Sequence, residues 1–436
     1  MQNPAALTLR IGHLTFIRKN PPDFDRSLMK QRARRFSFFL GLLLPFCFLW
    51  RAASTESVHE QITWPARNWL QEPPAKVGMD EKILADFADD LGNGKYGLID
   101  SFDVFRCGKA IYHRSYAHDY GAIYGKEAKI RGPLNARLTG PYNYFDPAWH
   151  PYYHGTALHS MQSVSKTVTS VIIGIAITRG DFKASLDTTV LHYFDVSKVK
   201  NVDDRKKRMT LQNVLTMSTG LEWNEENVAY DDPRSDSSLM EANDDWVQYV
   251  IDKPMVEDPG KHFNYSSGAT ELLAYIFKKE TGQDIEEYGK KYLFEPLAID
   301  YYWKRTYLGV VDTEGGLYLR GEDLAKIGYL YLHGGMWNGK RIVSEDWVRQ
   351  SLVPRIDAEG GMKYGYKWWL YPRKEPGHYI WMCLGFGGQR LMVFPEEQLI
   401  VVFTGWEILK DGAPISSLVA RVLPAVQTPK CDSASH

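Results

Sequence analysis

Apolar and polar positions change rhythm several times along the chain, and each change predicts an element. From Asp80, apolar residues at Ile83, Leu84, Phe87 and Leu91 follow the helical period until Gly92 closes the run. Residues 101–106 and 110–116 read as two strands joined at Cys107-Gly108-Lys109, a hairpin. Residues 116–159 show no clear period and are rich in Gly, Tyr and Pro, and a loop of such length usually serves function. It leads into residues 169–179, a nearly unbroken apolar run ended by Gly180, which predicts a buried helix with a C-terminal stop signal. Residues 187–299 carry helical patterns, with an acidic loop between Asn224 and Asp245. Residues 301–319 return to sheet, and 321–333 read as helix. Two apolar runs, 391–394 and 399–404, then flank Pro395-Glu396-Glu397-Gln398 as strand, turn and strand. A last helix places Ile415, Leu418, Val419 and Val422 on one face, ready to pack on that sheet. The order predicts one α/β (α+β) catalytic unit, a sheet with flanking helices and a helical half, with the cleft between them.

The N-terminus has another character. The 15-residue apolar run that begins at Phe36 and ends at Trp50 follows Lys30, Arg32, Arg34 and Arg35. It is short of the roughly 20 residues that span a bilayer but suits the apolar region of a signal peptide. An uncleaved membrane anchor is the other reading, so residues 29–54 are expected to export the chain to the periplasm or medium, or to hold it at a membrane facing outward. A start at Met29 gives a compact signal sequence, which makes residues 1–28 an extension or a mis-set start. Residues 55–79, with Pro65, Pro73 and Pro74, read as a linker, 80–425 as the folded domain and 426–436 as a tail.

Charge narrows the partners. Against 52 Lys and Arg stand 53 Asp and Glu, so nothing global points to nucleic acid. Cys47, Cys107, Cys383 and Cys431 show no zinc-ligand spacing, and no metal site is expected. Cys47 lies in the N-terminal apolar run, which leaves three, so no disulfide framework is expected either.

Candidate chemistry centres on Ser163-Val164-Ser165-Lys166, where the long helix begins. Residues three apart share a helical face, so a lysine amine can reach the serine hydroxyl, and the helix N-terminus favours developing negative charge. By spacing alone, an ordinary N-cap serine explains the motif equally well, and the same spacing recurs at Ser27/Lys30 and Ser197/Lys200. Tyr265, in Tyr265-Ser266-Ser267 just before another helix, becomes a base and then an acid if a lysine drives it toward phenolate. A core tyrosine is the default reading of that short pattern. Gly387 and Gly388, in Gly385-Phe386-Gly387-Gly388-Gln389, suit a close backbone approach, such as an oxyanion site needs.

Together, in this order, the three stretches resemble the motifs of the serine β-lactamase, penicillin-binding protein and esterase superfamily, on its class C side. Ser163-Val164-Ser165-Lys166 is similar to the nucleophile motif, Tyr265-Ser266-Ser267 to Tyr-x-Asn, and Phe386-Gly387-Gly388 to Lys-Thr-Gly or His-x-Gly. Leu215-Thr216-Met217-Ser218-Thr219-Gly220-Leu221 and Gly315-Gly316-Leu317-Tyr318 resemble further landmarks of the family. The resemblance implies a β-lactamase-like fold and a serine hydrolase without cofactor. Ser163 would attack, Lys166 and Tyr265 would share the proton work, and the N–H groups of Ser163 and Gln389 would hold the oxyanion. Ser267, Phe386, Gly387 and Gly388 would line the substrate site. Two departures matter: Ser267 stands in place of Asn, and Phe386 in place of the cation that holds a substrate carboxylate, a contact of roughly 1.5–3 kcal/mol. They favour a small ester, amide or peptide-like substrate, as in the 6-aminohexanoate-dimer hydrolases of the superfamily. The alternatives are a β-lactamase, a D,D-peptidase, or a penicillin-binding sensor that deacylates slowly.

Overall fold

The computed structural model describes residues 62–428 and Cys431, all within one unit spanning His59–His436. The predicted N-terminal extension and the signal or anchor segment lie outside the described residues. Among those described, no helix is long and apolar enough to cross a membrane.

A nine-stranded sheet forms the frame. Its spatial order is Leu70–Gln71, Lys109–Ser115, Ile99–Arg106, Leu399–Gly405, Gln389–Phe394, Tyr379–Gly385, Trp369–Pro372, Lys363–Tyr364 and Ile356–Asp357. All neighbours are antiparallel except the first pair. The two central strands are buried along their whole length because both sheet faces are covered. Leu391, Val393, Ile400 and Val402 join one core with the helices Val164–Arg179 and Gly321–Leu332. Their alternating neighbours Met392, Phe394, Val401 and Phe403 join the other core, under Glu81–Gly92 and Ile415–Val422. Period-2 alternation therefore persists, but both phases are apolar.

Local signals set the element ends. Asp80 accepts the Ile83 N–H at 3.1 Å as an N-cap, and Gly180 closes the long helix in the left-handed region. Cys107 and Gly108 both take positive φ, 56° and 75°, which makes the tight hairpin turn matching strand twist. The long helix Val164–Arg179 is buried on every side, because the sheet lies on one flank and the helical half on the other. That half holds the helices Leu211–Leu215, Asp236–Ala242, Trp246–Ile251, Ser267–Thr281 and Ile285–Gly289. Leu317–Leu319 pairs with Tyr301–Trp303 on one side and His159–Ser160 on the other in a small second sheet. Residues 116–159 form only short helical turns and that strand, and Tyr144 and His150 of this segment stack on Trp406.

Three expectations change. Residues 62–79, read as linker, carry the sheet strand Leu70–Gln71 and the buried Trp69, whose indole N–H donates to the Glu322 carbonyl at 2.8 Å. The tail is anchored too: Cys431 forms a disulfide with Cys107 at the hairpin turn, against the expectation of none. Cys383 remains a buried free thiol. Lastly, residues 356–385 supply four strands that their pattern did not announce.

Candidate active site

Ser163 sits at the end of a sharp approach. Gln162 holds φ at 49°, uncommon for a residue with a side chain, and Ser163 then caps the long helix. The bend is held by Ser165, whose hydroxyl donates to the Gln162 carbonyl at 2.6 Å and accepts the Leu317 N–H at 3.0 Å. One turn on, Lys166 Nζ donates to Ser163 Oγ at 2.7 Å. The same nitrogen donates to the Glu314 carbonyl at 2.8 Å and reaches the Glu314 carboxylate at 3.3 Å. Lys166 is 1 % exposed and Glu314 4 %, so this ion pair is nearly dry.

Tyr265 comes from the helical half, just ahead of the helix Ser267–Thr281, whose N-cap Ser266 accepts the Ala269 N–H at 3.0 Å. Its ring centre lies 5.2 Å from Lys166 Nζ and stacks on Trp369 at 5.7 Å. The expected drift toward phenolate is reversed. Burial first, then the Glu225 carboxylate, hold the phenol well above its ordinary range. The Ser163 hydroxyl pulls the other way, and Glu314 and Glu226 add to the rise. Tyr265 is therefore a protonated acid in the resting site.

Glu225 organises the ground behind Tyr265. It accepts from the Trp223 indole at 2.6 Å, the Tyr230 hydroxyl at 2.8 Å, the Ser267 N–H at 2.7 Å and the Ser267 hydroxyl at 2.6 Å. Ser267 is thus buried and committed to a carboxylate, and offers no free hydroxyl to a substrate.

The third motif meets the long helix through a glycine. A Cβ on Gly385 would lie 2.5 Å from the Met161 carbonyl, so only glycine lets the strand end come so close to the start of that helix. Gly387 and Gly388 follow with φ of 84° and 114°. Gln389, fully buried, clamps the turn: its amide donates to the carbonyls of Phe386 at 2.9 Å and Gly405 at 2.7 Å. Phe386 packs on Tyr230 and Tyr144, with ring centres 4.5 and 6.1 Å away, so an aromatic surface stands at this position. Arg390 supplies no replacement cation there. It donates to the Gly388 and Ala413 carbonyls at 3.3 and 3.0 Å, and burial draws it down to about 10.

Sequence reasoning missed two charged side chains here: Glu314 and Glu225. Glu314 carried a signal, since it directly precedes the Gly315-Gly316 landmark. Glu225 lay unremarked in the acidic loop.

A model of the family described as Beta-lactamase matches residues 101–405. The 6-aminohexanoate-dimer hydrolase of Paenarthrobacter ureafaciens is 26 % identical over 275 residues, covering 57 % of this chain and 66 % of that relative, just under two thirds. Among solved structures, a family VIII carboxylesterase is similar at TM-score 0.56 and 14 % identity, covering 82 % of this chain and 98 % of that one. A penicillin-binding protein homologue from Pyrococcus abyssi is similar at TM-score 0.54 and 20 % identity, covering 80 % and 78 %. These structures share the fold, and the family match takes in Ser163, Lys166, Tyr265 and the third motif alike: this chain belongs to the Beta-lactamase family.

Proposed function

We propose that the protein is a serine hydrolase that cleaves carboxylic esters or amides through an acyl-enzyme on Ser163. The observation that carries the reading is the 2.7 Å bond between Lys166 Nζ and Ser163 Oγ at a helix N-terminus, with Tyr265 alongside. Lys166, as a free amine, takes the Ser163 proton while Oγ attacks the carbonyl carbon. The N–H groups of Ser163 and Gln389 hold the oxyanion. Tyr265, kept protonated by its surroundings, gives its proton to the leaving oxygen or nitrogen and is reprotonated from the Lys166 ammonium. The net transfer is one proton from Ser163 to the leaving group, and water then releases the acyl group by the reverse relay.

Phe386 and its aromatic neighbours favour an uncharged or apolar group where a lactam or peptide carboxylate would otherwise bind. The similarity to the 6-aminohexanoate-dimer hydrolase supports the hydrolase reading. The Cys107–Cys431 disulfide supports export to an oxidising compartment.

The test is a panel of p-nitrophenyl esters, anilides and a chromogenic cephalosporin, run on wild type beside Ser163→Ala. Continuous turnover of esters or anilides, with fluorophosphonate labelling abolished in Ser163→Ala, is expected. A single stoichiometric burst would mark a slow-release sensor instead, and efficient cephalosporin turnover a lactamase.

A further inference from the structure

Glu225 joins two segments of the site. It is 3 % exposed, and each of its oxygens accepts two hydrogen bonds. Oε2 takes the Trp223 indole N–H and the Ser267 backbone N–H, both donors only. Oε1 takes the hydroxyls of Tyr230 and Ser267, which can accept as well as donate. Ser267 is the first residue of the helix Ser267–Thr281. The carboxylate therefore meets one of the N–H groups that a helix start leaves unpaired, where negative charge is favoured.

The two segments are 223–226 and 264–267, which run side by side. Asn264 Nδ2 donates to the Trp223 carbonyl at 3.2 Å, and the Asn264 N–H to the Met217 carbonyl at 2.8 Å. The Tyr265 N–H reaches the Glu226 carboxylate at 3.4 Å. The shortest of these links are the two from Ser267 to Glu225, at 2.6 and 2.7 Å. Tyr265 thus lies between two anchored residues. Its ring stacks on Trp369 and its hydroxyl faces Ser163, so the aim of the phenol follows from where this backbone is held. The helix has no need of Glu225 to begin, since Ser266 already caps it through the Ala269 N–H. A buried carboxylate is costly to desolvate, and this one adds a different thing, a stiff joint. It reaches from the Tyr265 segment to Tyr230, whose ring lies 4.5 Å from Phe386.

We propose that Glu225 is a positioning residue that aims the Tyr265 hydroxyl at the leaving atom through Ser267 and ties it to the Phe386 wall through Tyr230. This rests on the hydrolase reading above. In acylation the bond from Ser163 Oγ to the carbonyl carbon forms, and the bond from that carbon to the leaving oxygen or nitrogen breaks. Tyr265 gives its proton to the leaving atom and regains one from Lys166. Such a transfer needs the phenol within hydrogen-bond reach of that atom, and a small misplacement slows it. An alkoxide leaves only with a proton, whereas p-nitrophenolate leaves as the anion. Loosening Glu225 therefore slows alkyl esters and spares p-nitrophenyl esters.

The test compares kcat/KM for ethyl butyrate and p-nitrophenyl butyrate, with the fluorophosphonate labelling rate, in wild type, Glu225→Ala, Glu225→Gln and Ser267→Ala. Glutamine can turn its carbonyl to the Trp223 and Ser267 N–H groups and its amide to the two hydroxyls, so it keeps the joint. For Glu225→Ala, a loss of about tenfold or more on the ethyl ester is expected, with the p-nitrophenyl ester and labelling within about threefold of wild type. Glu225→Gln should stay within about threefold on both esters. Ser267→Ala, which removes one link and serves if Glu225→Ala folds poorly, should show the same split to a smaller degree. In the variants that fold, an equal loss on both esters or no loss on either overturns the role of Glu225. So does a loss in Glu225→Gln as large as in Glu225→Ala. These outcomes leave Ser163-dependent labelling of wild type intact; its absence overturns the hydrolase reading and this proposal together.

Discussion

Lys166 Nζ lies between two oxygens of opposite meaning, Ser163 Oγ at 2.7 Å and the Glu314 carboxylate at 3.3 Å. The first needs the nitrogen as a free amine; the second favours it as an ammonium. Glu314 therefore orients Lys166 and at the same time restrains it as a base. Glu314→Gln keeps the shape and removes the charge. The expected result is a several-fold higher kcat/KM, because the carboxylate that restrains the nitrogen is gone, with stability lower by about 1–3 kcal/mol. Ester hydrolysis across pH and urea denaturation check the two parts. The stability loss stays modest because an amine, unlike a stranded guanidinium, can shed its proton.

On the proposed reading, Phe386 meets the far end of the substrate. Replacing it with lysine puts an ammonium where an aromatic ring now meets Tyr230 and Tyr144. For Phe386→Lys, esters bearing a carboxylate should gain roughly 10- to 100-fold in kcat/KM over their neutral isosteres, the equivalent of a charge-assisted contact. Neutral esters should lose activity as the aromatic wall is broken. Competition between a succinate monoester and its methyl ester measures both effects.

The parts legible in the sequence were those decided locally. The helix Glu81–Gly92 and the final helix show a clean period because each buries one face on the sheet. Ser163 and Lys166 are one turn apart, so helix geometry alone brings them together. Residues 356–385 stayed unread because their strands are mostly two to four residues long and exist by pairing with neighbours. The same holds for the charges of the site. Glu314 meets Lys166 across 148 residues and Glu225 meets Ser267 across 42, and no local pattern encodes such contacts. The direction of the Tyr265 shift follows from burial first and from these unseen carboxylates second. Lysine proximity alone suggested the reverse.

Glu226 makes folding stability depend on pH. It accepts the Tyr265 N–H at 3.4 Å, and burial, then the Glu359 carboxylate, raise it to about 8. A carboxyl whose folded pKa is raised binds a proton in the folded state that the unfolded chain has already released. Its contribution is complete below about pH 4.5 and is lost as pH rises through about 8. Glu226→Gln cannot ionise and escapes that loss. Thermal melts of variant and wild type should therefore agree most closely near pH 5 and separate above pH 8, with the variant the more stable. An equal gap at both ends would place Glu226 outside this linkage.

The Cys107–Cys431 disulfide joins positions 324 residues apart, from the turn of the first hairpin to the C-terminal tail. A link over so much chain restricts the unfolded state, and typical native disulfides contribute about 2–4 kcal/mol. The tail has other holds that survive its loss. Gln427 N–H donates to the Gly78 carbonyl at 2.9 Å, and the Arg106 guanidinium donates to the Thr428 carbonyl. Cys431→Ser should therefore fold and lower the unfolding midpoint, and dithiothreitol should lower wild type to the same value while leaving the variant unchanged. Ester turnover at 25 °C should be kept in both, since neither change alters Ser163, Lys166 or Tyr265. A variant as stable as oxidised wild type would show that the tail's hydrogen bonds alone hold that end of the chain.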